Sequence, residues 1–173
     1  MSLAVVLGGA SGGLDELASL PRFDAVFAVN DAAADYAGPL AAFVTLHHEH
    51  LPRWLGKRRA AGLPDPGEVI AHVEAPHVTR VVDYRWPGMN ASGSSGLFAA
   101  KVALEAGHRV VLCGVPMDPK RAHYFDPAPW TEVDQFRAAW EIALPRLRER
   151  VRSMSGWTAE ILGKPAPDWL LAE

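Results

Sequence analysis

The stretch from Asn90 to Gly114, NASGSSGLFAAKVALEAGHRVVLCG, constrains the fold more than any other part of the chain. Its middle, Leu97 to Ala106, carries apolar side chains around most of a helical surface, as a helix covered on nearly every side does. Arg109 to Gly114 is then a run of β-branched and apolar residues without polar alternation, which suits a strand buried on both faces. Gly107 stands between them as a helix stop. A helix leading into a doubly buried strand is half of an α/β unit with a parallel sheet. Ahead of the helix lie Ser92, Gly93, Ser94, Ser95 and Gly96. A Gly/Ser run at a helix N-terminus offers free backbone N–H groups, hydroxyls and the positive end of the helix dipole, which together bind anions, phosphate above all. The same residues also serve a plainer role, with Ser94 or Ser95 capping the helix and the glycines turning the chain.

The first residues repeat this grammar. Leu3 to Leu7 is a compact apolar run, followed by Gly8, Gly9, Ala10, Ser11, Gly12 and Gly13 and a short helix over Leu14 to Leu20. A first strand feeding a glycine turn is where α/β nucleotide-binding folds hold phosphate. The spacing is not the dinucleotide fingerprint, and the lysine of a P-loop is missing. Asp24 to Val29 reads as the second strand and delivers Asn30 and Asp31 at its C-terminal end, the end that faces the ligand crevice of a parallel sheet. Asn30 suits a base, ribose or phosphate there, and equally the cap of the helix that follows.

Ala42 to Leu46 is a third strand, ending at His47-His48-Glu49-His50, and LPRWLGKRRAAG continues as a helix. His47 and His50, three apart, share a helical face. The four-residue spacing of an HExxH zinc site is absent, so no metal-ligand set is assigned. His47, directly after a strand, faces substrate in this reading, against the plainer reading of simple surface histidines. Val69–Val73 and Val78–Tyr84 are extended segments at the sheet edge, where the neighbouring prolines are tolerated.

After Gly114, the loop from Val115 to Asp126 carries Asp118, Lys120, Arg121, His123 and Tyr124 within seven residues. It leaves a buried strand at its crevice end and reads as a flap that closes over ligand, against the plainer reading of a solvated loop. His123 is the candidate general base, since imidazole titrates near neutrality. Asp118 would orient it or the acceptor, and Arg121 would stabilise a departing phosphate. Thr131 to Arg150 is the longest helix, with Thr131 as N-cap and Asp134 as its partner, a buried stripe of Phe136, Trp140, Leu144 and Leu147, and a kink at Pro145. Val151 to Gly156 would be a last strand, bringing Arg152, Ser153 and Ser155 to the crevice.

Composition bounds the partners. A chain of 173 residues fits one domain. Net charge of −3 gives no support for a nucleic-acid surface, a local basic patch aside. No segment has the length of a membrane helix or the shape of a signal peptide. The lone Cys113 cannot form an internal disulfide and sits in the buried strand, which fits a reducing, cytoplasmic setting and a packing role. A homo-oligomer is compatible with these numbers.

The order of pieces resembles the Rossmann-like superfamily of bacterial CMP-sialic-acid-dependent sialyltransferases and 6-hydroxymethylpterin diphosphokinase-like proteins. The similar pieces are the small-residue turn in LGGASGGL, the strand VFAVN ending in Asn30, the unit SGSSGLFAAKVALEAGHRVVLCG and, loosely, VPMDPKRAHYF. They cover residue 3 to about 126. The first turn departs from the family's G-x-G-P-S-like pattern and the middle is short. Small phage and prophage proteins show a similar overall pattern. The resemblance implies a single Rossmann-like three-layer α/β domain with a mainly parallel sheet. It implies a nucleotide or nucleotide-sugar as donor for glycosyl or phosphoryl transfer, with a divalent metal as a possible companion. Two other classes stay open: a non-catalytic binding or assembly protein, and a metal-assisted hydrolase built on the HHEH cluster.

Overall fold

The computed structural model describes residues 2–172. Seven strands form one all-parallel sheet: β1 (Leu3–Leu7), β2 (Ala25–Val29), β3 (Ala42–Val44), β4 (Glu68–Ala71), β5 (Arg80–Val81), β6 (Arg109–Cys113) and β7 (Val151–Ser153). Their spatial order is β5-β4-β3-β2-β1-β6-β7. The chain therefore builds outward from β1 to β5, then recrosses through one helix to lay β6 on the other side of β1. That reversal makes the β1/β6 boundary the topological switch point, where open α/β sheets bind ligands.

Alternation within β1 sorts the two faces. Leu3, Val5 and Leu7 pack with α1 (Gly13–Ala18), α2 (Asn30–Asp35), α3 (Leu51–Ala60) and α7 (Pro167–Leu171). Ala4 and Val6 point the other way, under α4 (Ser94–Glu105), α5 (Val133–Leu147) and α6 (Gly156–Leu162). The all-round apolar reading of Leu97–Ala106 holds, since all of α4's residues from Ser95 to Leu104 except Lys101 are buried. Helices on both faces of a parallel sheet complete the three-layer Rossmann-like domain expected from the pattern.

Several boundaries differ from the sequence reading. The strands towards the β5 edge shrink, to four residues in β4 and two in β5 itself. The long helix begins at Val133 and ends at Leu147, and Thr131 does not cap it; Glu132 holds the cap position without a side-chain bond. The ring of Trp130, packed 5.6 Å from that of Phe136, fixes the chain's approach to the helix in the manner of a hydrophobic staple. The buried stripe centres on Trp140 and Leu147, joined by Val133, Ala139 and Ala143, with Phe136 and Leu144 at its margin. α7 lies in PAPDWLLAE, a tail too short and proline-rich to read as a helix. It is held by Arg109, whose guanidinium donates to the Trp169 and Ala172 carbonyls. No helix among the described residues is long and apolar enough to cross a membrane.

Candidate functional site

A cleft of about 430 Å³ opens at the C-terminal ends of β1, β2, β3 and β6. Its back is the switch point itself. There the first turn and the turn after β6 approach until backbone touches backbone: a Cβ at Gly114 would lie 2.5 Å from the Gly8 carbonyl oxygen, and one at Gly13 would lie 2.8 Å from the Gly114 Cα. Gly8 N–H donates to the Cys113 carbonyl at 2.8 Å. Glu16 locks the junction from α1, accepting from Gly114 N–H at 2.7 Å and from the Arg121 guanidinium at 3.3 Å. The glycines thus earn their place by close backbone approach, and Gly8 and Gly9 still line the cleft.

The start of α4 forms the floor. Neither serine caps the helix. Gly93 holds the cap position with no side-chain bond, and its carbonyl accepts the buried Trp140 indole N–H at 2.6 Å. Ser94 has a φ of 83°, and its Oγ is buried without a partner among the described residues. Ser95 Oγ accepts from Leu46 N–H at 3.2 Å, tying the floor to the end of β3. Ser92, Ser94, Ser95 and Gly96 all line the cleft.

Asn30 does not cap α2; that position belongs to Val29. Its Oδ1 accepts from the buried Thr45 hydroxyl at 2.8 Å, and Thr45 Oγ1 accepts from His47 N–H at 2.9 Å. With its oxygen committed, the Asn30 side chain offers the cleft its amide N–H groups. Asp31 lines the same wall, 3.8 Å from the Arg53 guanidinium. His47 and His50 face the cleft with rings stacked at 6.2 Å, as their spacing foretold, although residues 48–50 form a 3₁₀ turn before α3. His47 Nδ1 lies 3.3 Å from Glu49 Oε1. Backbone hydrogen bonding, then the neighbouring imidazoles, hold the Glu49 carboxyl below its usual range. Among the described residues no three His, Cys, Asp or Glu side chains converge as metal ligands would.

The opposite wall is aromatic. His123 sits between Phe125, with centroids 5.1 Å apart, and Trp130, at 5.4 Å, and Phe136 continues the row. Burial lowers the His123 pKa. Three of the four left-handed non-glycine residues among those described, Asn30, Ser94 and Met117, line this one cleft. Met117, at a φ of 47°, is held by Arg137, which donates twice to its carbonyl, at 2.8 and 3.1 Å. Unfavourable backbone concentrated at one site marks a built surface.

The Val115–Asp126 loop is pinned rather than open. Ser11 N–H donates to the Ala122 carbonyl at 2.9 Å and Tyr124 N–H to the Gly9 carbonyl at 3.0 Å. Tyr124 leaves the cleft for an adjoining cavity, where its hydroxyl donates to Asp35 at 2.6 Å; burial and that carboxylate push the phenol pKa up. Asp118 does not reach His123. Its carboxylate accepts from Lys120 N–H at 2.9 Å, closing its own turn, and it does not line the cleft. Ser11 also lies outside, contributing backbone only, and Arg121 lines the rim while paired with Glu16. β7 joins the sheet, but Ser153 is buried against Thr158 and Arg152 packs on Trp169, so that strand adds nothing to the cleft. Burial pushes the Cys113 thiol up, in keeping with a packing role. Trp130 and Arg53 in the cleft and Glu16 behind it were not foreseen, and Phe136 was read only as core; the aromatic-rich YFDPAPW was the sign of the first.

Comparison with protein-family models, with curated proteins and with solved structures gives no match in any of the three.

Proposed function

We propose that this cleft binds a nucleotide or nucleotide-sugar and that the chain transfers a glycosyl or phosphoryl group from it. One observation carries the reading: the start of a twelve-residue helix faces an aromatic row across a single cleft at the sheet's switch point. A nucleobase stacks on the rings of Trp130, His123 and Phe125, an interaction worth about 1–3 kcal/mol per base. The phosphates lie over Ser92 to Gly96, where backbone N–H groups and the dipole of α4 favour negative charge. Asn30 donates to the sugar or phosphate between them.

In this reading His123 is part of the stacking wall, its burial keeping the ring uncharged at neutral pH. His47 takes the base's role instead. Glu49 next to Nδ1 favours the tautomer that leaves Nε2 free to accept a proton.

The test is titration calorimetry with a nucleoside, its 5′-mono- and diphosphate and nucleotide-sugars. Affinity should rise with each phosphate. Trp130→Ala should weaken every ligand by about 5–150-fold, the equivalent of one stacked base. Ser92→Glu should weaken the phosphorylated ligands and spare the nucleoside. Equal affinity for nucleoside and nucleotide, or no binding at all, would overturn the reading.

A further inference from the structure

We infer that Ser94 is a nucleophile, and that transfer in this cleft passes through a covalent phosphoserine intermediate with His47 as base and Glu49 as its positioning residue. The phosphate-bearing substrate rests on the nucleotide reading above; the reactivity of Ser94 does not.

Four observations meet at Ser94. Its backbone holds a left-handed φ of 83° that serine has no intrinsic reason to adopt, at the first turn of α4. Its Oγ is buried and has no hydrogen-bond partner among the described residues, whereas Ser95 Oγ is engaged by Leu46 N–H. A buried hydroxyl without a partner calls for an explanation, and one poised to change rotamer toward the cleft it lines supplies it. The residues two before and two after, Ser92 and Gly96, are small. A Cβ at Gly96 would lie 3.5 Å from Ser94 Oγ and 2.7 Å from a Val115 methyl, so only glycine leaves that space. Small-x-Ser-x-small around a left-handed serine at a helix start is the geometry that lifts a nucleophilic hydroxyl out of its backbone. Here it is approached from a loop.

The base lines the same cleft: Leu46 N–H meets Ser95 Oγ at 3.2 Å, so the chain neighbours His47 and Ser94 come from two segments that touch, and both line the cleft. Glu49 lies 3.3 Å from His47 Nδ1, the third member of a nucleophile–base–carboxylate series. The first backbone N–H groups of α4 face the oxygens of the reacting phosphate.

The step balances without a further reactant. Ser94 Oγ attacks phosphorus, forming the O–P bond as the bond to the leaving oxygen breaks. The Ser94 proton passes to His47 Nε2 and from there to the leaving oxygen. An acceptor hydroxyl then attacks the phosphoserine, forming its own O–P bond as the Ser94 Oγ–P bond breaks; its proton passes to His47 Nε2 and from there to Ser94 Oγ, which restores the hydroxyl.

A fluorophosphonate probe tests this without knowing the substrate, because it reports any serine activated for attack at phosphorus. The folded protein should take up one probe, mapped by mass spectrometry to Ser94, and urea-unfolded protein none. Ser94→Ala should lose labelling, and the exposed Ser19→Ala should keep it. His47→Gln should slow labelling about 100-fold, at the low end for loss of a general base. Glu49→Gln should shift the pH at which the rate falls to half, an effect that a purely structural Glu49 would not have. Circular dichroism verifies that each variant is folded. No label on Ser94 of the folded wild type, or undiminished labelling in folded His47→Gln, overturns the inference. Nucleotide binding without labelling refutes the nucleophile alone. Labelling without nucleotide binding refutes the nucleotide reading alone.

Discussion

Replacing Gly114 with Ala isolates the contact on which the cleft is built. Gly114 has a φ of 67°, and a Cβ there would lie 2.5 Å from the Gly8 carbonyl oxygen and 3.1 Å from the Gly13 Cα. A left-handed alanine costs roughly 1–2 kcal/mol. Forcing apart a packed contact between two backbones adds roughly 1–3 kcal/mol. Gly107 is the control: its φ is 92° but a Cβ would meet nothing within 4 Å, so Gly107→Ala carries only the conformational cost. The two variants should therefore differ by roughly 1–3 kcal/mol in urea-unfolding free energy. For a chain of this size each kcal/mol is about 2–4 °C in Tm. Gly56→Ala, in open space in the middle of α3, should move the other way by roughly 0.5–1 kcal/mol. If Gly114→Ala unfolds no more easily than Gly107→Ala, the first turn and the β6 turn do not meet as described, and the back wall of the cleft is misassigned.

Trp140→Phe removes the indole N–H that satisfies the Gly93 carbonyl in a buried setting, and should cost roughly 1–3 kcal/mol in chemical denaturation while weakening ligands at the start of α4. A loss of stability below about 0.5 kcal/mol would mean that water or another donor takes the carbonyl. Acid should destabilise the fold before the carboxylates titrate. Burial lowers the pKa of His72, His108 and His123 below the ordinary 6.5, so the folded state binds fewer protons than the unfolded state. Stability then rises with pH up to about 6.5 and is flat above it. The urea midpoint should be lower at pH 5 than at pH 7 and equal at pH 7.5 and 8.5; a midpoint that rises on acidification reverses the sign and refutes the assignment.

The sheet was legible because burial on both faces writes itself as unbroken apolar runs. LAVVL, DAVFAV and RVVLC are too short for helices in this setting and too uniform for a half-exposed sheet, and each became a strand. The edge was less legible, since two residues of β5 pair where seven apolar and polar residues in VTRVVDY offered themselves. Strand length at an edge is set by what the neighbour can pair with, and β4 itself has only four residues. Capping failed for a related reason. Thr131 has the right chemistry, but the Trp130–Phe136 contact decides where the chain turns into the helix.

Asn30, His47 and His123 were expected at the crevice because each follows the C-terminal end of a strand, and Ser92 to Gly96 because they form a Gly/Ser run before a helix; all of these except Gly93 line one cleft. What a one-dimensional reading lacks is the partner across the gap. Asp118 and His123 are five apart and look like a pair, yet Asp118 closes its own turn and His123 stacks between rings. Glu16 and Arg121 are 105 residues apart and do form one. Ser94 illustrates the same limit from within a motif. Three serines in SGSSG have identical chemistry on paper, and only the backbone separates them. Ser95 is spent on Leu46, Ser92 lies in the approach to the helix, and Ser94 alone combines a left-handed backbone with a free, buried hydroxyl. What separates one serine of three is φ and hydrogen bonding, which depend on how Leu46 and Val115 meet that turn.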